Sequence, residues 1–107
     1  MANTFKRFTS NSVGTSLATV YTVPGSTTSV VIGGIVSNVT ADTVNVTVTA
    51  TTSSTVINLI GEDTPIPAGT ALSFIDGKVV LETGDIIKVK SSAASSLDAH
   101  LSAMEIT

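Results

Sequence analysis

His100 is the single histidine of this 107-residue sequence, and so the residue best suited to act as a general base near neutral pH. Serine-type hydrolysis needs a nucleophilic hydroxyl beside such a base and a carboxylate that orients the base. The sequence has 14 Ser and 18 Thr, but it has no Gly-x-Ser-x-Gly turn to make one hydroxyl reactive. We therefore interpret His100 as a surface histidine and expect a non-enzymatic protein with no catalytic residues.

Acidic residues in or beside predicted loops are the candidates for a metal site. They are Glu62, Asp63, Asp76, Glu82 and Asp85. Hard oxygen ligands of this kind bind Ca²⁺, but the acids lack the Asp-x-Asp-x-Asp-Gly spacing of a calcium loop. Adjacent acids in a turn usually face water. The sequence predicts no metal and no cofactor, and it leaves a calcium-binding loop as an open alternative.

The small number of aromatic residues bears on carbohydrate chemistry. Paired carboxylates that cleave glycosidic bonds flank a sugar-binding cleft, and such clefts are normally lined with aromatic side chains. The chain has three Phe, one Tyr and no Trp. These are too few to line a glycosidase cleft or the usual surface of a carbohydrate-binding module.

Charge and cysteine content exclude further classes. The net charge is −3, and no Lys, Arg or His occurs between Arg7 and Lys78. Binding to duplex nucleic acid needs several cations that neutralise phosphates together, so we expect no nucleic-acid partner. With no Cys there is no disulfide framework and no thiolate metal site.

Targeting signals are also missing from the pattern of hydrophobicity. The N-terminus has two cations but no following apolar run of signal-peptide length. The apolar stretch at 30–36 is far shorter than the roughly 20 residues that span a bilayer. We expect no signal peptide and no membrane association.

The composition favours β-structure, because Ser, Thr, Val and Ile supply 55 of the 107 residues. Residues 43–51 alternate between aliphatic and hydroxyl or amide side chains, which predicts a half-buried strand. About eight strands are predicted, at 16–23, 28–37, 43–51, 56–60, 71–75, 78–82, 85–90 and 97–106. Turn signals separate them, and Asp76-Gly77 predicts a hairpin. The fold class predicted is a single-domain, all-β antiparallel sandwich or small barrel of Greek-key or jelly-roll type.

Local features of this pattern leave alternatives. Gly33-Gly34 predicts a bulge or a close backbone approach within the second strand. The two prolines in 61–69 predict a loop. Residues 91–104 also fit a helical spacing, so this segment could be a helix or a strand. The sequons at Asn38 and Asn45 are attributed to the abundance of Thr, and no glycosylation is implied.

Residues 1–14 fit neither period and are predicted to form an extended N-terminal arm, with the β-sandwich domain at 15–107. Within the arm, Phe5, Lys6, Arg7 and Phe8 place two aromatics around two cations. An apolar anchor on an arm can attach one subunit to another, so these four residues are the predicted partner-binding site. A frayed terminus is the alternative interpretation.

Five segments carry a resemblance that covers most of the chain after residue 15. They are Tyr21-Thr22-Val23-Pro24-Gly25, Asn38-Val39-Thr40, Pro65-Ile66-Pro67-Ala68-Gly69, Gly84-Asp85-Ile86-Ile87-Lys88-Val89 and Leu101-Ser102-Ala103-Met104-Glu105-Ile106. In this order they resemble small all-β virion proteins of tailed bacteriophages, especially cyanophage-like ones. The resemblance implies a structural protein of the virion, assembled in the host cytoplasm.

Within that family, the resemblance implies a capsid decoration (cement) protein that stabilises the head through repeated contacts with the major capsid protein. A neck, tail or baseplate component is the alternative, and a glycan- or receptor-binding β-sandwich is a third. We expect a symmetric homo-oligomer, most simply a trimer, with residues 1–14 reaching neighbouring subunits.

Overall fold

The computed structural model describes residues 3–75 and 78–107. Within them the chain forms ten β-strands and no helix. The strands are β1 (Asn3–Val13), β2 (Ala18–Thr22), β3 (Thr28–Asn38), β4 (Val44–Thr52), β5 (Thr55–Asn58), β6 (Thr64–Ile66), β7 (Ala71–Ser73), β8 (Val79–Leu81), β9 (Ile86–Ser91) and β10 (Leu97–Ile106). All pairings are antiparallel, and they make two sheets.

The two sheets have matching plans. The first has the order β1-β10-β3, followed by β7 and β8 side by side along β3. The second has the order β2-β9-β4, followed by β5 and β6 along β4. Each sheet is therefore four strands wide, and the fourth position is an interrupted strand. Because the chain crosses repeatedly between the sheets, this is a jelly-roll sandwich, which confirms the predicted fold class.

The predicted hairpin at Asp76-Gly77 is wrong. Both β7 and β8 pair antiparallel to β3, so they run in the same direction and are successive pieces of one strand. The long β3 provides a ladder that both pieces can join. Asp76 and Gly77 themselves lie outside the described residues.

Two further expectations differ from the structure. Residues 64–66 of the predicted loop form β6, in which Pro65 lies opposite Asn45. A proline is tolerated there because β6 is an edge strand and its missing N–H is not needed for a second ladder. The helical alternative for 91–104 is also wrong, because β10 starts at Leu97 and continues to Ile106.

The core lies between the inner faces of the sheets. It is built by the alternate residues of β4 and β10, as their sequence patterns predicted. The bulge and the close approach that were predicted as alternatives for β3 are both present. The register with β10 shifts at Ile32, which is a bulge, and a Cβ built on Gly34 would lie 2.5 Å from Cζ of Phe74.

Candidate functional site

The predicted arm is part of the first sheet. Asn3–Val13 pairs with β10 along most of its length, with one register shift between Ser10 and Val13. Residues 1–14 were predicted to form an extended arm beside a sandwich domain at 15–107, and in the structure residues 3–13 form an extended strand that pairs with that domain. Backbone pairing needs no side-chain periodicity, which is why the sequence pattern did not predict it. Whether this strand also contacts a neighbouring subunit stays a prediction.

Alternation along β1 divides the four predicted site residues between two faces. Phe5 lies opposite Met104 on the outer face, and Arg7 lies opposite Ser102 on the same face. Lys6 and Phe8 lie opposite the buried residues Ala103 and Leu101 and belong to the inner face. The four residues are therefore two pairs, and the outer pair is the one that a partner can reach fully.

Phe8 and Lys6 hold β1 against the interior. The ring of Phe8 stacks on that of Tyr21 in β2, with centroids 3.9 Å apart. Nζ of Lys6 lies 2.9 Å from Oε1 of Glu105, and the phenol of Tyr21 donates a 2.7 Å hydrogen bond to Oε2 of the same carboxylate. Glu105 is only 4% exposed and both of its oxygens are engaged, whereas the side chain of Lys6 is 48% exposed, so the ion pair lies at the border between core and solvent. The charged group is therefore satisfied by two partners from different sheets.

The same contacts shift two pKa values. The hydrogen bond from Tyr21, then the one from Lys6, lower the pKa of Glu105 even though burial opposes its charge. Burial raises the pKa of Tyr21 to about 12, the neighbouring Ser29 hydroxyl offsets part of this rise, and the Glu105 carboxylate adds to it. Around neutral pH this arrangement is a charged carboxylate held by a neutral phenol and an ammonium.

An open groove of about 360 Å³ lies beside the outer pair. It is lined by Phe5, Lys6, Arg7, Ile32, Ser102 and Ala103. Phe5 is 71% exposed and Ile32, the bulged residue of β3, is 45% exposed. The groove thus combines two exposed apolar side chains with the guanidinium of Arg7, and it suits contact with another macromolecule better than enclosure of a small substrate.

The apolar surface continues from the groove across the first sheet. The register aligns Phe5 with Met104, Met104 with Val30, and Val30 with Val80, so one row of apolar side chains crosses four strands of the outer face. Val80 is 64% exposed. The sequence showed each of these residues, but it could not show that they share a row, because that depends on register.

The residues considered for catalysis do not assemble. His100 is exposed on the outer face of β10, as predicted, and its imidazole makes no hydrogen bond to any described residue. Within 3–75 and 78–107 no three His, Asp or Glu side chains gather in a way that could hold a metal ion. Asp76, one of the candidate ligands, is outside those ranges.

The other candidate acids occupy separate loops. Oδ2 of Asp85 accepts a 2.9 Å hydrogen bond from the backbone N–H of Glu82, which closes the turn between β8 and β9. Both acids border a second open pocket of about 370 Å³, whose other lining residues are Thr51, Ser53, Ser54, Thr83, Gly84 and Ile86. Glu62 and Asp63 lie in the segment between β5 and β6. The second pocket has hydroxyls and carboxylates but no aromatic ring.

The first sequon has a structural role. Nδ2 of Asn38 donates to the carbonyls of Asp42 and Ile66, at 2.8 and 2.9 Å. Its Oδ1 accepts from the backbone N–H and from the hydroxyl of Thr40, at 2.9 and 2.7 Å. Because Asn38 is 3% exposed, its amide is unavailable for modification in the folded protein. The residue instead fixes the turn between β3 and β4.

Comparison with known proteins gives a fold relationship. No family model and no curated protein matches the sequence. A chain in the structure of infectious bursal disease virus, Gx strain, has a similar fold, with a TM-score of 0.52 and 16% sequence identity. The similarity covers 99% of this chain and 33% of that one, so this chain spans about a third of its length. Among the described residues there is no helix long and apolar enough to cross a membrane.

Proposed function

We propose that this protein is a non-enzymatic structural protein of a virion, and that the outer face of its first sheet binds another virion protein. The observation that carries the proposal is the apolar row from Phe5 to Val80, with its adjoining groove, on a fold shared with a chain of a virus structure. Apolar side chains that share one row on a protein surface are characteristic of protein contact sites.

In its more specific form, the proposal is a capsid decoration protein of a tailed bacteriophage that contacts the major capsid protein as a symmetric homo-oligomer, a trimer in the simplest case. A decoration protein gains holding power through many equivalent weak contacts. A broad apolar face with few charges supports such a role, because its contacts do not require charged groups to be stripped of water.

Two point variants test the contact better than a truncation does. Removing residues 1–14 would delete β1 and expose the edge of β10, so loss of binding would not identify a contact residue. Phe5→Ser and Arg7→Ser change exposed side chains and leave the backbone ladder in place. We expect each variant to fold normally and to bind particles lacking the protein at least about tenfold more weakly.

Thr9→Ser is the matched control, since Thr9 is an exposed residue on the same face of β1 and lies outside the groove. Unchanged particle binding by both Phe5→Ser and Arg7→Ser would contradict the proposed contact. The copy number in purified particles, measured by quantitative mass spectrometry, decides the location. Hundreds of copies support head decoration, tens or fewer support a neck, tail or baseplate component, and absence from particles contradicts the virion role.

A further inference from the structure

Among the described residues, the strands at sheet edges are β1, β7 and β8 in the first sheet and β2, β5 and β6 in the second, and two of these edges differ in charge and lie on opposite sides of the sandwich. β1 ends the first sheet and β5 lies at the end of the second. Phe8 of β1 stacks on Tyr21 of β2, which places β1 over β2, and β2 is at the opposite end of the second sheet from β5. The open edges of β1 and β5 therefore face away from each other.

The β5 edge is apolar and then acidic. All four residues of β5 are exposed, and the adjacent residues Val56 and Ile57, which point to opposite faces, are 60% and 47% exposed. Glu62 and Asp63 follow on the same edge, where the backbone N–H of Asp63 donates to Oγ1 of Thr47 in β4 at 3.1 Å. An exposed apolar edge strand is a template for pairing with another chain.

The β1 edge is apolar and cationic. Phe5 is 71% exposed and Arg7 is exposed, and Asn3–Val13 contains no acid. The ammonium of Lys6 is already balanced by Glu105, which leaves the guanidinium of Arg7 without a partner among the described residues. Two copies could not easily pair through β1 alone, because their cations would repel.

We infer that the β1 edge of one copy docks on the β5 edge of the next, with Phe5 against Val56 and Arg7 against the acids Glu62 and Asp63. This inference rests on the homo-oligomer in the proposed function and names the two surfaces that form it. The contact joins different edges, so it is head-to-tail, and its repetition generates a closed ring or an open filament. Each copy then covers its β1 and β5 edges with neighbours, and the rest of the apolar row, Met104, Val30 and Val80, is left for the virion partner.

A charge exchange tests the inference by sedimentation equilibrium of the purified full-length chain. Arg7→Glu and Glu62→Arg should each weaken self-association at least about tenfold, because each places like charges across the contact. The double variant should recover to within about threefold of the wild type, since it restores opposite charges. Lys88→Glu is the control: it alters net charge as Arg7→Glu does, but it lies in β9, away from both edges. Unchanged association in both single variants, or no recovery in the double variant, would overturn the inference.

A second pair of variants tests the same contact between copies without changing any charge. Val56→Thr should weaken association, whereas Val80→Thr, at 64% exposure on the outer face of the first sheet, should leave it unchanged. Circular dichroism checks that each variant is folded. If the wild type stays monomeric up to about 1 mM, any self-association is weaker than a stable subunit contact, and the inference is also overturned. That result does not decide the virion role, which depends on the particle measurements.

Discussion

The outer faces of the two sheets differ more than their shared plan suggests. The outer face of the second sheet carries hydroxyl and ammonium groups: Thr51, Lys88 and Lys90 are half-buried there, and Thr47 and Thr49 are buried. The first sheet presents the apolar row that starts at Phe5 and ends at Val80, with Ile32 and Ile35 beside it. A face exposed to water throughout the life of a protein has no need of such a row, and so the first sheet is the one expected to acquire a partner.

The inner faces differ in the opposite sense. In the second sheet, the inner faces of β4 and β9 are aliphatic at alternate residues from Val44 to Ala50 and at Ile87 and Val89, with Ser91 buried at the end of β9. The first sheet buries Ser29, Asn38 and Glu105 among its aliphatic residues. The first sheet therefore buries a charged carboxylate on its inner face and exposes an apolar row on its outer face. Departures of this kind concentrate at sites with a role beyond folding.

Substituting the two sequon asparagines gives the most direct comparison, because Asn38 lies in the first sheet and Asn45 in the second. The largest change in the free energy of unfolding is expected here. Asn38→Ala removes four hydrogen bonds from a buried amide, and we expect it to lower the free energy of unfolding by about 3–4 kcal/mol. Asn45→Ala in the second sheet changes a half-buried side chain that makes no hydrogen bond to a described residue, and should cost less than about 1 kcal/mol. Urea denaturation measures both. Equal losses would contradict the structural role given to Asn38.

The adjacent glycines of β3 sharpen the comparison within the first sheet. A Cβ on Gly34 would meet the Phe74 ring at 2.5 and 2.7 Å and Cγ1 of Ile75 at 3.0 Å. Both side chains are buried and have little room to move, so Gly34→Ala should cost about 2–3 kcal/mol. Gly33→Ala meets nothing within 4 Å and has no positive φ, so it should be close to neutral. Thermal unfolding of the pair distinguishes close packing from a general need for glycine.

The sequence predicts the second sheet well and the first sheet partly. Alternation in β4 and β9 is strong enough to give both strands and their inward faces, but the predicted half-buried character of β4 is wrong, because Thr47 and Thr49 on its other face are buried too. β1 was missed because most of its residues are exposed, so its side chains carry no period and its position depends on backbone pairing. Positive φ is another feature that the sequence does not reveal: among the described residues, five of the six non-glycine residues with positive φ are serines.

The candidate site shows the same division. The alternation of β10 that buries Leu101 and Ala103 continues to Glu105, so a buried carboxylate was predictable from the sequence. Its partners were not. Lys6 and Tyr21 come from β1 and β2, and only the register and the packing of the two sheets bring them to one carboxylate.

Glu105 gives a pH-dependent test of the charged group that is buried on the inner face of the first sheet. Its pKa is lower in the folded than in the unfolded chain, so the carboxylate stabilises the fold above its ordinary titration range, and this stability is lost as the pH falls through the folded pKa. Glu105→Gln should cost about 1.5–2 kcal/mol at pH 7, with the difference from wild type shrinking as the pH falls below about 4. A difference that stays constant between pH 7 and pH 3 would contradict this account.

Tyr21 provides the corresponding test at high pH. Its pKa of about 12 exceeds the ordinary value of 10.0, so its contribution is complete below pH 10 and is lost as the pH rises through 12. Tyr21→Phe removes the ionisable phenol, so the variant should lose less stability than the wild type over this interval. Absorbance of tyrosinate at increasing pH locates the titration directly. A midpoint near 10 in the folded protein would show that the phenol is not held neutral by its surroundings.

The smallest effect is expected in the turn of the second sheet, and its sign is opposite. Ser53 and Ser54 join β4 to β5 with φ of 48° and 68°, so both residues of this two-residue hairpin turn adopt left-handed conformations. Asn-Gly is favoured in such a turn because it accepts positive φ at both positions. Replacing Ser53-Ser54 with Asn-Gly should therefore stabilise the protein by about 1 kcal/mol. If the monomer becomes more stable and self-association is unchanged, the contact depends on the β5 edge and not on the conformation of the turn before it. Loss of association with the same gain in stability would instead mean that the exact shape of the serine turn contributes to the contact.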